Sequence, residues 1–316
     1  MNIVDFLKSK PFIIGILVLI LAALAAVPFY GAEYLMILFI AFIMYIITTV
    51  SWAMFSGPTG YISLASAAFI GVGVYTMAII GDGLPLLLVV FIGGLISFIL
   101  GLLVGALTLR LRGVYFTIFT FGLVLLIQRL MLWFEMSVTG TRGRFVIVVD
   151  NPTIYWILLA LLVILLLVAF FLKRSKYGLA LVGIGEYEEA ADHIGVNVNL
   201  LKTLVFALSA FFMGAAGAII ATRWTYIDPY VAFAVLNSFM PVLMAIFGGM
   251  GHLYGPVVGS VIFAYLEELL LTKFPYFYML LFGLILVAAI LFLPNGIVGL
   301  LDRFRTGGIK QKDATA

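Results

Sequence analysis

Cysteine is absent from all 316 residues. That excludes a disulfide framework, a thiolate nucleophile and a zinc–thiolate site. The two histidines, His193 and His252, stand too far apart in the chain to form a local metal motif. No G-x-x-x-x-G-K-[ST] run occurs, so the chain has no phosphate-binding loop of its own. Charge is scarce as well: 10% of residues carry it, with a net of +3, where a soluble domain has about a quarter. So small a basic excess says nothing in favour of a nucleic-acid partner. With no nucleophile–base pair and no metal cluster in the sequence, the chain reads as a non-enzyme that binds no cofactor itself.

What is present is apolar. Hydrophobic residues make up 65% of the chain, more than one core could hide from water, so lipid must be the solvent and a bilayer the first partner. Ten candidate spans stand out: 11–30, 33–56, 61–80, 84–109, 114–134, 153–172, 203–221, 232–248, 255–271 and 276–293. Most have the roughly 17–25 residues a helix needs to cross hydrocarbon. Backbone groups in lipid must pair internally, so the spans are helices. Lys8 and Lys10 before Pro11 to Tyr30, with small residues from Ala22 to Ala26, resemble a signal peptide; the length of the run favours a retained first helix. The glycine-rich boundaries at Ser56 to Gly60 and Gly248 to Gly255 leave room for a half-helix or a re-entrant piece.

Lysine and arginine set the orientation. With the N-terminus inside, the inner segments hold Lys8, Lys10, Arg110, Arg112, Lys173, Arg174, Lys176, Lys202, Arg303, Arg305, Lys310 and Lys312. The outer ones hold Arg142, Arg144, Arg223 and Lys273, and Arg129 lies within a span. Dropping one early span would put basic clusters on opposite sides. The expected protein is thus an all-α, multi-pass membrane protein of about ten transmembrane helices, a single domain over 1–316 with both termini cytoplasmic. Residues 302–316 form a polar, flexible tail, and the spans would divide into two halves as an inverted repeat.

The longest polar segment, 173–202, falls inside. Within it, EYEEAADHI from Glu186 to Ile194 has Tyr187, Ala190, Ala191 and Ile194 on one helical face. Acidic residues open the helix, where the dipole favours them, and Gly195 follows where a left-handed cap ends one. So short a helix needs a surface to lie on. That surface is a cytoplasmic partner, or the membrane and neighbouring loops; the acidic polar face counts against anionic lipid.

Glu189-Ala190-Ala191, three residues, then Gly195 resembles the EAA loop of permease subunits in ABC importers. More of the chain is similar to one branch of that family. Gly60 to Phe69, continuing through Gly71, Gly73, Tyr75 and Thr76, resembles the GQLSLGHAAFFGIGAYT signature of branched-chain amino acid permeases. Arg110 to Phe116 resembles their RLRGIYF segment. Ser175 to Lys202 is similar to their inner loop, including Gly195, Asn197 and Lys202, and Gly248 to Gly251 with Gly255, Pro256 and Gly259 follows their GGxGxxxGPxxGA segment. The agreement spans roughly 40 to 300 and is nearer the M-type subunit than the H-type; urea and amide permeases share the pattern. Tyr61, Ala65 and Ser66 replace the common Gln, Gly and His, Thr139 to Arg144 lacks the usual acid, and His252 replaces Ser. Those departures bear on the substrate more than on the architecture.

The resemblance implies the ABC importer permease fold in a bacterial or archaeal plasma membrane. A homologous H-type permease, two cytoplasmic ATPases carrying ATP and magnesium, and a soluble solute-binding protein would be its partners. Glu186, Tyr187, Glu189, Ala190, Ala191, Ile194 and Gly195 would couple it to the ATPase, and a branched-chain amino acid would be the cargo. Ser63, Ser66, Tyr75, Thr76, Thr117, Thr120 and Asn237 are candidates for a polar path, against the plainer reading that Ser and Thr bond to their own helix. Arg129 would snorkel to the interface. Three alternatives stay open: a urea or short-amide permease of the same family, an ion-coupled transporter or channel, and a membrane scaffold. The scarcity of buried charge speaks against the ion-coupled reading.

Overall fold

The computed structural model describes residues 23–29, 32–252 and 254–277, with scattered positions up to 299. The first and last expected spans and the C-terminal tail therefore fall largely outside the described residues, although 23–29 is helical. The helices are α1 (Glu33–Thr59), α2 (Ser66–Ile80), α3 (Leu86–Thr108), α4 (Val114–Phe134), α5 (Asn151–Arg174), α6 (Lys176–Glu186), α7 (Glu188–His193), α8 (Val198–Ala221), α9 (Pro229–Ala232), α10 (Leu236–Gly248) and α11 (Tyr254–Lys273). Among the described residues, seven helical stretches are long and apolar enough to cross a membrane.

The packing is that of a lipid-solvated protein. On α3, Leu87, Phe91, Leu95, Ile99, Leu103 and Leu107 recur every fourth residue and are all exposed. The opposite face buries Gly93, Ser97, Gly101 and Gly105. Without water to drive helices together, close backbone approach has to do so. The buried α8 is the axle, against which α3, α2 and α1 pack. A Cβ on Gly73 of α2 would collide with the Gly214 carbonyl of α8, and one on Gly101 of α3 would stand 2.8 Å from the Ala207 Cα. Ser97 adds a hydrogen bond across helices, its hydroxyl donating to the Phe69 carbonyl at 3.1 Å.

Two expected spans are broken. The stretch 61–80 is not one helix: Pro58 lies in the last turn of α1, Gly60 takes φ +71 to cap it, and residues 60–65 run non-helical before α2 begins at Ser66. The stretch 232–248 divides into α9 and α10, with Phe233 to Val235 between them. A third correction concerns the polar segment. Glu186 ends α6, Tyr187 is extended at φ −155 and ψ 97, and the short α7 runs only from Glu188. The run from Glu186 to Ile194 is thus a helix end, a kink and a second short helix.

Segments expected on one side of the membrane meet at one end of the bundle. The Lys173 ammonium donates to the Gly251 carbonyl at 3.1 Å, and Arg112 pairs with Glu189 at 3.2 Å. At the other end, the two-residue strands Arg144–Phe145 and Tyr226–Ile227 pair antiparallel, Arg144 opposite Ile227.

Candidate functional site

The α6–α7 corner is built from capping rules. Ser175 caps α6 by accepting from the Gly178 amide at 3.3 Å, and Asn197 caps α8 by accepting from the Leu200 amide at 3.1 Å. Between them α7 ends in a Schellman turn. Gly195 takes φ +89, its amide donates to the Asp192 carbonyl at 2.9 Å, and the Val196 amide donates to the Ala191 carbonyl at 3.1 Å. The expected left-handed cap is present. The expected apolar face is divided, however. Ala191 is buried against Ile184 and Val198, while Ala190 is exposed and Tyr187 and Ile194 stand 63% and 82% exposed. The chain thus anchors α7 through one alanine and presents a tyrosine and an isoleucine outward, flanked by Glu186 and Glu189. A cleft of about 310 Å³ beside it is lined by Tyr61, Arg112, Gly185, Tyr187 and Glu188 among others.

Under this corner lies a charged cluster that sequence reasoning missed. Lys202 is fully buried and donates to Glu188 Oε1 at 2.8 Å, the Leu109 carbonyl at 3.1 Å and the Tyr61 hydroxyl at 3.2 Å. The Tyr61 hydroxyl donates in turn to Glu188 Oε2 at 2.6 Å. Burial pushes the Glu188 carboxyl up, but the hydrogen bonds from Lys202 and Tyr61 outweigh it and hold it below its ordinary value. In the sequence Lys202 is only the last cation of the inner segment and a member of the loop resemblance; the tertiary fold is what turns it inward.

The unwound segment 60–65 has no ladder to satisfy its backbone, and side chains from other helices do so. Thr117 donates to the Ile62 carbonyl at 2.8 Å, Trp52 to the Ser63 carbonyl at 2.7 Å, and Thr120 accepts from the Leu64 amide at 3.1 Å. Ser238 of α10 accepts from the Ala67 amide at 3.3 Å. Non-helical backbone at membrane depth is tolerated where protein buries it, and it is common around transporter sites. Of the seven path candidates, the structure brings Ser63, Ser66, Thr117 and Thr120 together here. Tyr75 and Thr76 lie about 13–15 Å further along α2, at 1.5 Å per residue. Thr76 donates to the Val72 carbonyl of its own helix at 2.8 Å, the plainer role. Asn237 is half-buried in the first turn of α10. A cavity of about 820 Å³ opens between α1, α5 and α6, and none of the seven lines it.

Tyr75 belongs to the other end. Its ring stacks on Phe233 at 5.7 Å, and its hydroxyl donates to Glu135 Oε1 at 3.1 Å. Phe233, in the break between α9 and α10, fills the notch left by Gly71, where any Cβ would overlap its ring. Glu135 is fully buried, accepts from the Gly143 amide at 2.8 Å and pairs with Arg144 at 3.7 Å. Asp228 caps α9 and pairs with Arg142 at 2.6 Å. Arg129 does not merely snorkel: it donates to the Tyr230 hydroxyl at 2.9 Å. Breaks such as the one at Phe233 have a partial sequence signal in Asp228-Pro229, an N-cap followed by a helix-starting proline.

Residues 34–290 match the family described as branched-chain amino acid transport system, permease component. The chain is 26% identical to the high-affinity branched-chain amino acid transport system permease protein LivM of Escherichia coli K12, over 92% of this chain and 75% of that protein. It is 29% identical to the ribose import permease protein RbsC of Haemophilus influenzae, over 39% of this chain and 40% of that one. To the L-arabinose transport system permease protein AraH of E. coli K12 it is 31% identical, over 45% and 44%. No solved structure matches the chain.

Proposed function

The chain belongs to the permease family of branched-chain amino acid transport systems; we propose that it is the M-type membrane subunit of an ATP-driven importer for those amino acids. The LivM likeness supports this cargo because it runs over 92% of the chain, whereas the sugar permeases are similar over less than half. A homologous H-type permease would complete the channel, two ATPases would bind ATP and magnesium beneath it, and a soluble binding protein would deliver the solute to the Arg142–Asp228 end. The α6–α7 corner then lies in the cytoplasm with both termini.

The observation that carries the ATP-driven part is that corner: a rigidly capped short helix, held from behind by Ala191 and Lys202, with Tyr187 and Ile194 bare in an acidic setting. Apolar side chains so exposed on a polar segment suit an ATPase groove better than water. Glu189→Lys or Gly195→Pro should abolish ATP-driven uptake while insertion in the membrane persists. Normal uptake in both would remove the corner from the mechanism. Uptake that survives ATP depletion, with no ATPase co-purifying, would favour a channel or ion-coupled transporter. Counterflow of leucine, urea, ribose and arabinose through the purified complex decides among the cargoes.

A further inference from the structure

We propose that Lys202 is a positioning residue: with Glu188 and Tyr61 it forms a joint that ties α7 to the unwound segment 60–65, so that movement of α7 reaches the backbone held by Thr117 and Thr120. The inference rests on the ATPase-docking reading of α7 and deepens it.

A lysine is almost never fully buried unless paired, and Lys202 is fully buried. All three of its N–H donors are used, and each goes to a different part of the chain: Glu188 at the start of α7, Leu109 at the end of α3, and Tyr61 next to the break. The Tyr61 ring also lies 4.6 Å from the ammonium, at cation–π distance. The Tyr61–Glu188 hydrogen bond closes the triangle. A methionine would fill the same space without the cost of desolvating a charge. A buried ion pair is therefore weak evidence for stability, and its best-attested use is to fix one register between elements. The cation gains nothing from its own helix, since it lies near the positive end of α8. What it meets instead is the Leu109 carbonyl at the negative end of α3.

The route from the joint to the segment is short. Tyr61 is bonded to Ile62, whose carbonyl accepts from Thr117, and Leu64 is held by Thr120. These are single side-chain hydrogen bonds rather than a helical ladder, so the segment can exchange partners when Tyr61 is displaced. α7 itself is held rigidly by its Schellman turn and by Ala191. A displacement of the corner therefore has a stiff lever and a soft recipient.

The absence of cysteine allows a direct test. The importer is purified with its partner subunits, reconstituted in liposomes and labelled at one introduced cysteine, either Asp192→Cys on α7 or Ile62→Cys in the segment. Both positions are exposed. With a spin label, both sites should respond to ATP in the otherwise unaltered complex. In Lys202→Met the Asp192 label should still respond, and the Ile62 response should fall by about tenfold, the factor carried by a lost charge-assisted hydrogen bond. Solute moved per ATP should fall in parallel while ATP hydrolysis continues. Tyr61→Phe leaves the ion pair intact but removes both hydrogen bonds of the Tyr61 hydroxyl, to Glu188 and from Lys202, and serves if Lys202→Met fails to assemble; its Ile62 response should likewise fall by about tenfold. A full Ile62 response in Tyr61→Phe, or in an assembled Lys202→Met, overturns the joint alone. An Asp192 label that ignores ATP in the unaltered complex overturns the docking reading, and the joint with it.

Discussion

Replacing Gly101 with alanine tests whether small residues set the distance between α3 and α8. A Cβ there would stand 2.8 Å from the Ala207 Cα and 2.9 Å from the Ala210 Cβ. Carbon atoms rest about 3.5–4.0 Å apart, so the helices must part by roughly 0.7–1.2 Å at that level. The Ala207 Cα is backbone and cannot rotate aside. A gap of about 0.5–1 Å forfeits a quarter to a half of each dispersion contact along the seam, and overpacking of this kind costs about 1–3 kcal/mol. Gly122 in α4 is the control, because a Cβ there meets nothing within 4 Å. Alanine at that position relieves the helix of a glycine, worth about 0.5–1 kcal/mol. Heating the detergent-purified protein and measuring the fraction still monodisperse by size exclusion gives the comparison. Gly101→Ala should melt several degrees below the unaltered protein and Gly122→Ala at or above it. If the two variants melt together, the close-approach argument for α3 and α8 is wrong.

Glu188 predicts a dependence on pH. Its folded carboxyl lies below the ordinary 4.5, so its contribution is present above about that pH and is lost as pH falls through the folded value; melting temperatures from pH 7 to pH 3 should drop more steeply for the unaltered protein than for Glu188→Gln. Asp150 caps α5, accepting from the Thr153 amide at 3.0 Å, so Asp150→Ala should cost about 1 kcal/mol and Asp150→Ser much less, read from thermal melts. Glu135→Ala leaves the Tyr75 hydroxyl and Arg144 without their carboxylate at the 135–150 end, about 1–3 kcal/mol for each group orphaned. Trypsin should then cut at Arg142 or Arg144 sooner than in the unaltered protein, while Glu135→Gln stays resistant.

Much of this architecture is legible in the apolar pattern, because helix length against the bilayer is a coarse and forgiving signal. The breaks are less so. Pro58 and Gly60 end α1 by local rules, and the sequence marks that boundary as weak. But Tyr61 to Ala65 is apolar enough to read as span, and the groups that satisfy its backbone are Thr117 and Thr120, distant in the chain, and Trp52, 11 residues before its acceptor on the preceding helix. Gly195 was legible as a cap, because a left-handed terminus is a local feature. The face of α7 was not: the kink at Tyr187 leaves Ala191 inward and Ile194 outward, and Glu188 just after the kink is held by Lys202, 14 residues further on. Residues that act on their immediate neighbours in sequence were readable, and those whose partners lie 11 or more residues away, from Trp52 and Ser63 to Thr120 and Leu64, were not.

The same distinction separates substrate contacts from structural ones among the path candidates. Thr120 is committed: its hydroxyl donates to the Thr117 carbonyl at 2.9 Å and accepts from the Leu64 amide. Thr120→Val would orphan that amide at about 1–3 kcal/mol, so lost uptake in that variant would report a disturbed segment whatever the cargo. Ser66 is different. It opens α2 just after the break, is 1% exposed, and its hydroxyl finds no partner among the described residues. Ser66→Ala removes a buried polar atom that nothing satisfies, so stability should hold or rise slightly. A change in the uptake KM of that variant can then be read as a contact with the solute. An unchanged KM at unchanged expression would take Ser66 out of the path and leave Asn237 as the polar group still to be tried, the Tyr75 hydroxyl being committed to Glu135 as Thr120 is to the segment.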